Sequence, residues 1–217
     1  MDKTPFSFYD FFGYLAPAIL LTTAIDFALN NQALIHYAGS GVINGIVSLL
    51  LIYIVGHTLA TPAGWLYETL LVKKILNKPS EVLLFNVEKK VGKKLFRGYY
   101  TALPVQIQEK IIEKAGESGI KTDHKAIYQF AFSKVKSNHL YMERLNTFLN
   151  LYGFARNISF VCFVITFVLL FSALFYDNIH LIKWALLMLI PGMIMLYRFL
   201  KFYRHYAYEL FLSFISN

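Results

Sequence analysis

The sequence is poor in charge and in cysteine. Only 16% of its 217 residues are charged, whereas soluble domains carry about 25% charged residues. The single cysteine, Cys162, excludes an intrachain disulfide framework and a zinc site built from several cysteines. Because Cys162 lies in an apolar run, we expect it to pack as a small hydrophobic side chain. These two shortages disfavour a soluble domain and a disulfide-stabilised one.

Motifs that carry catalysis or hold a cofactor are also missing. The chain has no HExxH, GxSxG or GxxxxGK[ST] motif and no Cys/His spacing typical of metal ligands. No carboxylate pair or nucleophile–base pair is visible, so we expect no enzyme and no cofactor. The alternative is a membrane-embedded enzyme, which requires that the fold brings Asp10, His57 and Glu68 together at the cytoplasmic end of the spans.

Apolar and aromatic residues are abundant instead. They make up 57% and 17% of the chain, and the mean hydropathy is +0.48. A membrane-spanning helix needs about 20 apolar residues. Four runs come near this length: 11–29, 41–60, 158–176 and 181–200. The sequence therefore predicts an all-α integral membrane protein with four transmembrane helices.

The distribution of charge predicts how these helices are oriented. Segment 62–157 holds 16 of the 21 Lys and Arg residues and 8 of the 13 Asp and Glu residues, a net charge of +8. The short connections 30–40 and 177–181 contain no Lys or Arg. The positive-inside rule then puts segment 62–157 and both termini in the cytoplasm. The residues before the first run lack a positively charged region, which favours a retained helix over a signal peptide.

Three domains follow from this topology. Residues 1–61 form a first transmembrane hairpin, 62–157 a mostly helical cytoplasmic insert, and 158–217 a second hairpin with a cytoplasmic tail. A connection of this length is expected to fold.

Local signals divide the insert into elements. They predict a helix over 65–76 that breaks at 77–79, and a helix from Pro104 to Gly116 or Gly119. They also predict one long helix that begins near residue 123 and runs towards the third span, and they leave a short strand open at 82–85.

The insert carries a basic cluster of Lys89, Lys90, Lys93, Lys94 and Arg97. Binding to anionic lipid is the preferred interpretation, because each lysine near such a surface gains roughly 1 kcal/mol. A solvated helix face and a nucleotide or nucleic-acid site are the alternatives. No glycine-rich phosphate loop supports the last of these, so nucleic acid is disfavoured.

Ionisable and polar residues within the spans are candidate functional residues. They are Asp26, Asn44, His57 and Lys183. Asp26 and Lys183 lie at similar depth with opposite charge, so they either form an ion pair or each reach the outer water. His57 lies in the last turns of the second span. It is either an interfacial structural residue, with water or Tyr14 as its partner, or a gating or proton-sensing residue.

Gly41 and Gly45 have the GxxxG spacing that allows two membrane helices to approach closely. This spacing favours a homo-oligomer.

Three fragments carry a resemblance: FSFYDFFGYLAPAIL, LYGFARNISF and YRFLKFYRHYAYELF. Together they resemble segments of uncharacterised small bacterial four-span inner-membrane proteins. The architecture is also similar to that of membrane effectors of anti-phage systems, including CRISPR accessory proteins. This similarity implies a membrane-perturbing or signalling role and assigns no catalytic residue.

Arg198 and His205 loosely match the R-x4-6-H pattern of HEPN ribonucleases, but Phe199 stands where a polar residue is usual. The alternative is that Arg198 extends from the end of the fourth span to the membrane surface.

Two functions compete. The first is an oligomeric membrane effector or channel-like protein whose insert senses a cytoplasmic protein or a nucleotide and alters membrane permeability, in anti-phage defence. The second is a non-conducting scaffold that anchors a cytoplasmic partner.

Overall fold

The computed structural model describes residues 11–28, 36, 39–120, 123–175 and 178–216. These residues are almost entirely helical and include no β-strand, which confirms the all-helical class. The strand left open at 82–85 is wrong, because these residues end a short helix that begins at Pro79.

Three helical stretches are long and apolar enough to cross a membrane. They are Val42–Phe85, His139–Phe175 and His180–Ser216. The described part of the first apolar run is a shorter apolar helix, Phe12–Ala28. It consists of a π-helical turn, Phe11–Leu15, followed by helix α1, Ala16–Ala28.

Helix α2 spans Val42–Gly64 and continues as a π-helix over Trp65–Leu76. The predicted break follows directly, because Asn77 has a positive φ of 76° and Lys78 is extended, as residues before proline usually are. Helix α3, Pro79–Phe85, starts after the break. Most π-helices are single turns inserted into α-helices, so a π-helix of 12 residues is unusually long.

The rest of the basic segment forms short elements. Helix α4 spans Lys90–Leu95 and is followed by a 3-10 turn, Arg97–Tyr100. Helix α5, Val105–Gly116, begins after Pro104 as predicted. Helix α6, His124–Val135, is capped by Asp123, whose carboxylate accepts hydrogen bonds from the backbone N–H groups of Lys125 and Ala126.

The single long helix predicted from residue 123 is interrupted. Residues 136–138 form a turn, and helix α7 then runs over His139–Phe175. The Asn138 side chain accepts a hydrogen bond from the Leu140 N–H at 3.1 Å, which caps the new helix. Helix α8, His180–Ser216, continues through Pro191. Helices α7 and α8 have 37 residues each, about 55 Å at 1.5 Å per residue.

The chain divides into two compact units. The first comprises the described residues of Met1–Leu66 and of Gly153–Tyr197, and the second those of Tyr67–Tyr152 and Arg198–Asn217. The first unit has its core between α1, α7 and α8, where Leu21, Ile165 and Ala185 are buried.

The second unit has a separate core. It combines residues of the predicted insert, such as Leu83, Ile111 and Ile127, with Phe211 and Phe214 from the end of α8. The sequence grouped residues 198–217 with the second membrane hairpin, but the structure packs this segment into the second unit. The reason is that α8 turns its large aromatic side chains into the core between α5 and α6.

Candidate functional site

His57 lies between two aromatic rings. Its imidazole stacks on Tyr14, with 4.0 Å between the ring centroids and 21° between the planes. The Tyr53 ring meets it edge-on at 4.5 Å. Tyr53 and His57 share a face of α2 because they are four residues apart, and Tyr14 comes from the π-helical turn. We name these three residues the His57 cluster.

Gly56 allows the π-helical turn to approach α2. A Cβ atom at this position would clash with the Tyr14 carbonyl oxygen and would lie 2.7 Å from the carbonyl carbon. Any side chain here would push the two backbones apart. The turn that carries Tyr14 is therefore held against His57 by a glycine that the sequence analysis did not single out.

Helix α7 holds the same turn from another side. The Asn157 side-chain amide is buried and donates a hydrogen bond of 2.9 Å to the Gly13 carbonyl oxygen. Arg156 donates in turn to the Asn157 side-chain oxygen at 3.1 Å. The R-N pair of the LYGFARNISF fragment thus fixes the orientation of the turn that carries Tyr14.

The other polar residues predicted in the spans lie apart from this cluster along the chain. Asp26 in α1 is buried, with 4% of its surface exposed, whereas Lys183 in α8 is exposed. Asn44 donates a hydrogen bond of 2.8 Å to the Ser40 hydroxyl at the start of α2.

Gly41, one of the two predicted packing glycines, makes no close contact with another part of the described chain. Gly41 precedes α2, and a Cβ atom built on it would meet nothing within 4 Å; Gly45 donates its N–H to the Gly41 carbonyl oxygen at 3.0 Å. Close approach occurs at Gly192 of α8, where a Cβ atom would lie 3.2 Å from that of Cys162. The Ser159 hydroxyl also donates to the Gly192 carbonyl oxygen at 2.8 Å.

The basic cluster surrounds the short helix α4. Lys90, Lys94 and Arg97 are exposed. Lys93 pairs with Glu88 at 2.6 Å, and the Lys89 ammonium group donates to the Lys74 carbonyl oxygen at 2.5 Å. Most of the cluster therefore remains available to an external anion.

Exposed apolar side chains accompany these charges. Val87 is 40% exposed and Leu95 58% exposed. A surface that mixes lysines with apolar side chains is typical of a segment that lies on a membrane.

Two tyrosine hydroxyls donate hydrogen bonds to backbone carbonyl oxygens at the end of the π-helix. Tyr99 donates to the Asn77 carbonyl oxygen at 2.8 Å, and Tyr100 donates to the Leu76 carbonyl oxygen at 2.5 Å. Burial, the largest influence, raises the pKa of both hydroxyls, so each remains a donor at neutral pH. The sequence analysis did not identify these contacts.

The residues of the loose HEPN pattern each contact a different aromatic ring. The Arg198 guanidinium lies 5.5 Å from the centre of the Phe202 ring, and the His205 imidazole stacks on Phe148 at 5.8 Å. Glu68 and His57 fall into different units, and Asp10 lies outside the described residues.

In the part of the chain that the structure describes, no three His, Cys, Asp or Glu side chains come together in a way that would hold a metal ion. Comparison with protein-family models, curated proteins and solved structures finds no match for this chain.

Proposed function

We propose that the protein is an oligomeric bacterial inner-membrane effector that alters membrane permeability, in anti-phage defence. In this proposal the first unit lies in the bilayer with four spans, the fourth of them supplied by the first apolar run. The second unit and both termini are cytoplasmic, because the positive charge is concentrated in segment 62–157.

The exposure of α2 carries the proposal. Only Gly56 and Ala63 are buried in this helix of 23 residues. Asn44, Ser48 and Thr58 lie within about 80° of one another around the helix axis, given 3.6 residues per turn. We name these three residues the polar stripe. Thr58 is exposed, and Asn44 and Ser48 are half-buried. Asn44 and Thr58 make hydrogen bonds to Ser40 and Ile54 close by in the chain, so the stripe is partly accessible from outside the described chain.

A polar stripe is costly against hydrocarbon and favourable against water or another copy of the chain. A ring of subunits that turns the stripe inward would line an aqueous path with hydroxyl and amide groups. The basic cluster, with Val87 and Leu95, would lie on the anionic lipid of the cytoplasmic face.

Reconstitution into liposomes that contain anionic lipid tests the proposal. We expect the wild-type protein to pass potassium ions, measured with an enclosed fluorescent indicator, and the double variant Ser48→Leu/Thr58→Leu to pass them at least tenfold more slowly. Ser48→Thr/Thr58→Ser is the matched control, because it keeps a hydroxyl group at both positions of the stripe. Liposomes that stay tight with wild-type protein, together with a monomer in native mass spectrometry, would contradict the proposal.

A non-conducting scaffold is the second candidate, and the separate core of the second unit favours it. A scaffold would capture a cytoplasmic partner while the bilayer remained tight. The full chain is needed for such a capture experiment, because the core of the second unit includes residues of α8 beyond the predicted insert.

A further inference from the structure

The second unit contains a cavity of about 260 Å³. Three elements form its wall: the break before α3, the first half of α6 and the middle of α8. The side chains that matter for its chemistry are Lys78, Ser80, His124, Lys125, Tyr128 and Tyr206. All of them belong to the second unit, and none of them belongs to the basic cluster.

The charge of the lining is positive. Two lysines contribute to it and no Asp or Glu does. The carboxylates of Glu81 and Asp123 lie 3.0 and 3.3 Å from the two ring nitrogens of His124. Neither Lys78 nor Lys125 forms an ion pair with another described residue, so the two ammonium groups remain for a ligand.

Uncharged donors stand beside the lysines. The Ser80 hydroxyl belongs to a residue that is only 6% exposed. The Tyr128 and Tyr206 side chains both line the cavity, and burial, the largest influence, raises the pKa of Tyr128. Both the ring and the protonated hydroxyl of Tyr128 are therefore present at neutral pH. Lysines with hydroxyl donors suit a phosphate group, and tyrosine rings suit a planar or apolar remainder.

We propose that this cavity binds a small phosphate monoester, with Lys78 and Lys125 pairing with the phosphate oxygens and Tyr128 and Tyr206 covering the rest of the molecule. This inference rests on the proposed function, because it names the class of ligand that the second unit of the proposed effector would sense. Two sources share this chemistry: a mononucleotide and a glycerol phosphate derived from lipid.

Calorimetric titration of the full-length protein in detergent micelles tests the site. The probes are AMP, glycerol 3-phosphate and inorganic phosphate. We expect saturable binding of at least one ester, and we expect Lys78→Gln/Lys125→Gln to weaken it at least tenfold. The matched control Lys110→Gln/Lys136→Gln removes the same charge from exposed positions of the second unit that lie outside the cavity lining and the basic cluster, and we expect it to leave the affinity unchanged.

The probes also separate the two sources. AMP binding at least tenfold tighter than glycerol 3-phosphate supports a nucleotide, and equal affinity supports recognition of the phosphate group alone. No saturable binding of any probe overturns the proposal, as does equal weakening in both double variants. If the Lys78 variant does not fold, Lys125→Gln alone serves, because Lys125 is exposed.

Failure of the site is distinguishable from failure of the proposed function. If the protein binds a probe in micelles but passes no potassium in liposomes, the proposed binding site is supported and the proposed effector function is contradicted. If the protein passes potassium but binds no probe, the effector function is supported and the binding site is contradicted.

Discussion

His57 holds its imidazole between the rings of Tyr14 and Tyr53, at the surface of α2. This geometry allows two roles. The ring can act as packing between aromatic side chains, or it can gate permeability by binding a proton and changing its contact with the turn that carries Tyr14.

Two substitutions separate these roles. His57→Ala removes both the ring and the proton, whereas His57→Phe keeps a ring for Tyr14 and removes only the proton. If His57 gates permeability by binding a proton, we expect both variants to assemble normally and to lose any pH dependence that the potassium flux of the wild-type protein shows. If Phe restores wild-type flux at every pH, the residue is structural.

Gly56 provides a prediction about stability. Gly56→Ala places a methyl group against the Tyr14 carbonyl, and overpacking of this kind costs about 1–3 kcal/mol. Gly41→Ala is the matched control, because its Cβ would meet nothing within 4 Å and its φ of 163° suits any residue. Thermal unfolding in micelles should show a lower midpoint for Gly56→Ala only; equal midpoints would refute the close approach.

Among the elements, the contact between α6 and α8 depends on neutral tyrosines. Tyr128 of α6 packs on Phe211 of α8 with 6.2 Å between ring centroids. Burial raises the pKa of Tyr128 from its ordinary value of 10.0. The folded state thus holds the proton more tightly than the unfolded state. The contribution of Tyr128 to the stability of the folded state is therefore fully present below pH 10, and it is lost as the pH rises towards the pKa of Tyr128 in the folded state.

The free energy of unfolding should therefore fall as the pH rises above about 10, and Tyr128→Phe should reduce this fall. Circular dichroism of chemical unfolding between pH 8 and 11 measures both proteins. If the free energy of unfolding depends on pH in the same way in both proteins, the pKa of Tyr128 is not raised by folding and the prediction is wrong.

Element boundaries were predictable where single residues decide them. Pro104 restricts the backbone and Asp123 caps a helix, and both stand at helix starts as expected. Pro79 lies at the predicted break, but the helix that begins there was not predicted. The break at 136–138 was missed because it contains no proline or glycine, and the one local signal there is Asn138, which caps the helix that follows. The Tyr99 hydroxyl reaches a carbonyl 22 residues away, which no local pattern encodes. Gly56 and Gly192 differ from Gly41 only in what packs against them.

At the scale of the whole molecule, each unit is built from two separated parts of the chain. The core of the second unit includes Phe211 and Phe214, both fully buried. Lys114 of α5 also donates to the Phe214 carbonyl oxygen at 2.9 Å and lies over its ring. Residues 67–152 therefore share one compact unit with the end of α8.

This division predicts the result of a double substitution. Phe211→Ala/Phe214→Ala should open the second unit, because each buried Phe→Ala change costs about 3–5 kcal/mol. Limited proteolysis should then cut between residues 78 and 138. Leu186→Ala/Leu187→Ala, two exposed positions of the same helix, should leave the wild-type pattern, and cleavage in both variants would contradict the assignment of the core.

The position of Phe211 and Phe214 also sets an order of events during biosynthesis. A ribosome completes residues 67–152 long before it reaches these two phenylalanines, and the apolar segment 158–200 lies between. During synthesis of the apolar helices, the second unit therefore lacks part of its core, and Leu83, Ile111 and Ile127 are not yet covered by the end of α8. A cell that produces this protein has to shield that surface, by a chaperone or by the membrane itself, until the last part of α8 arrives.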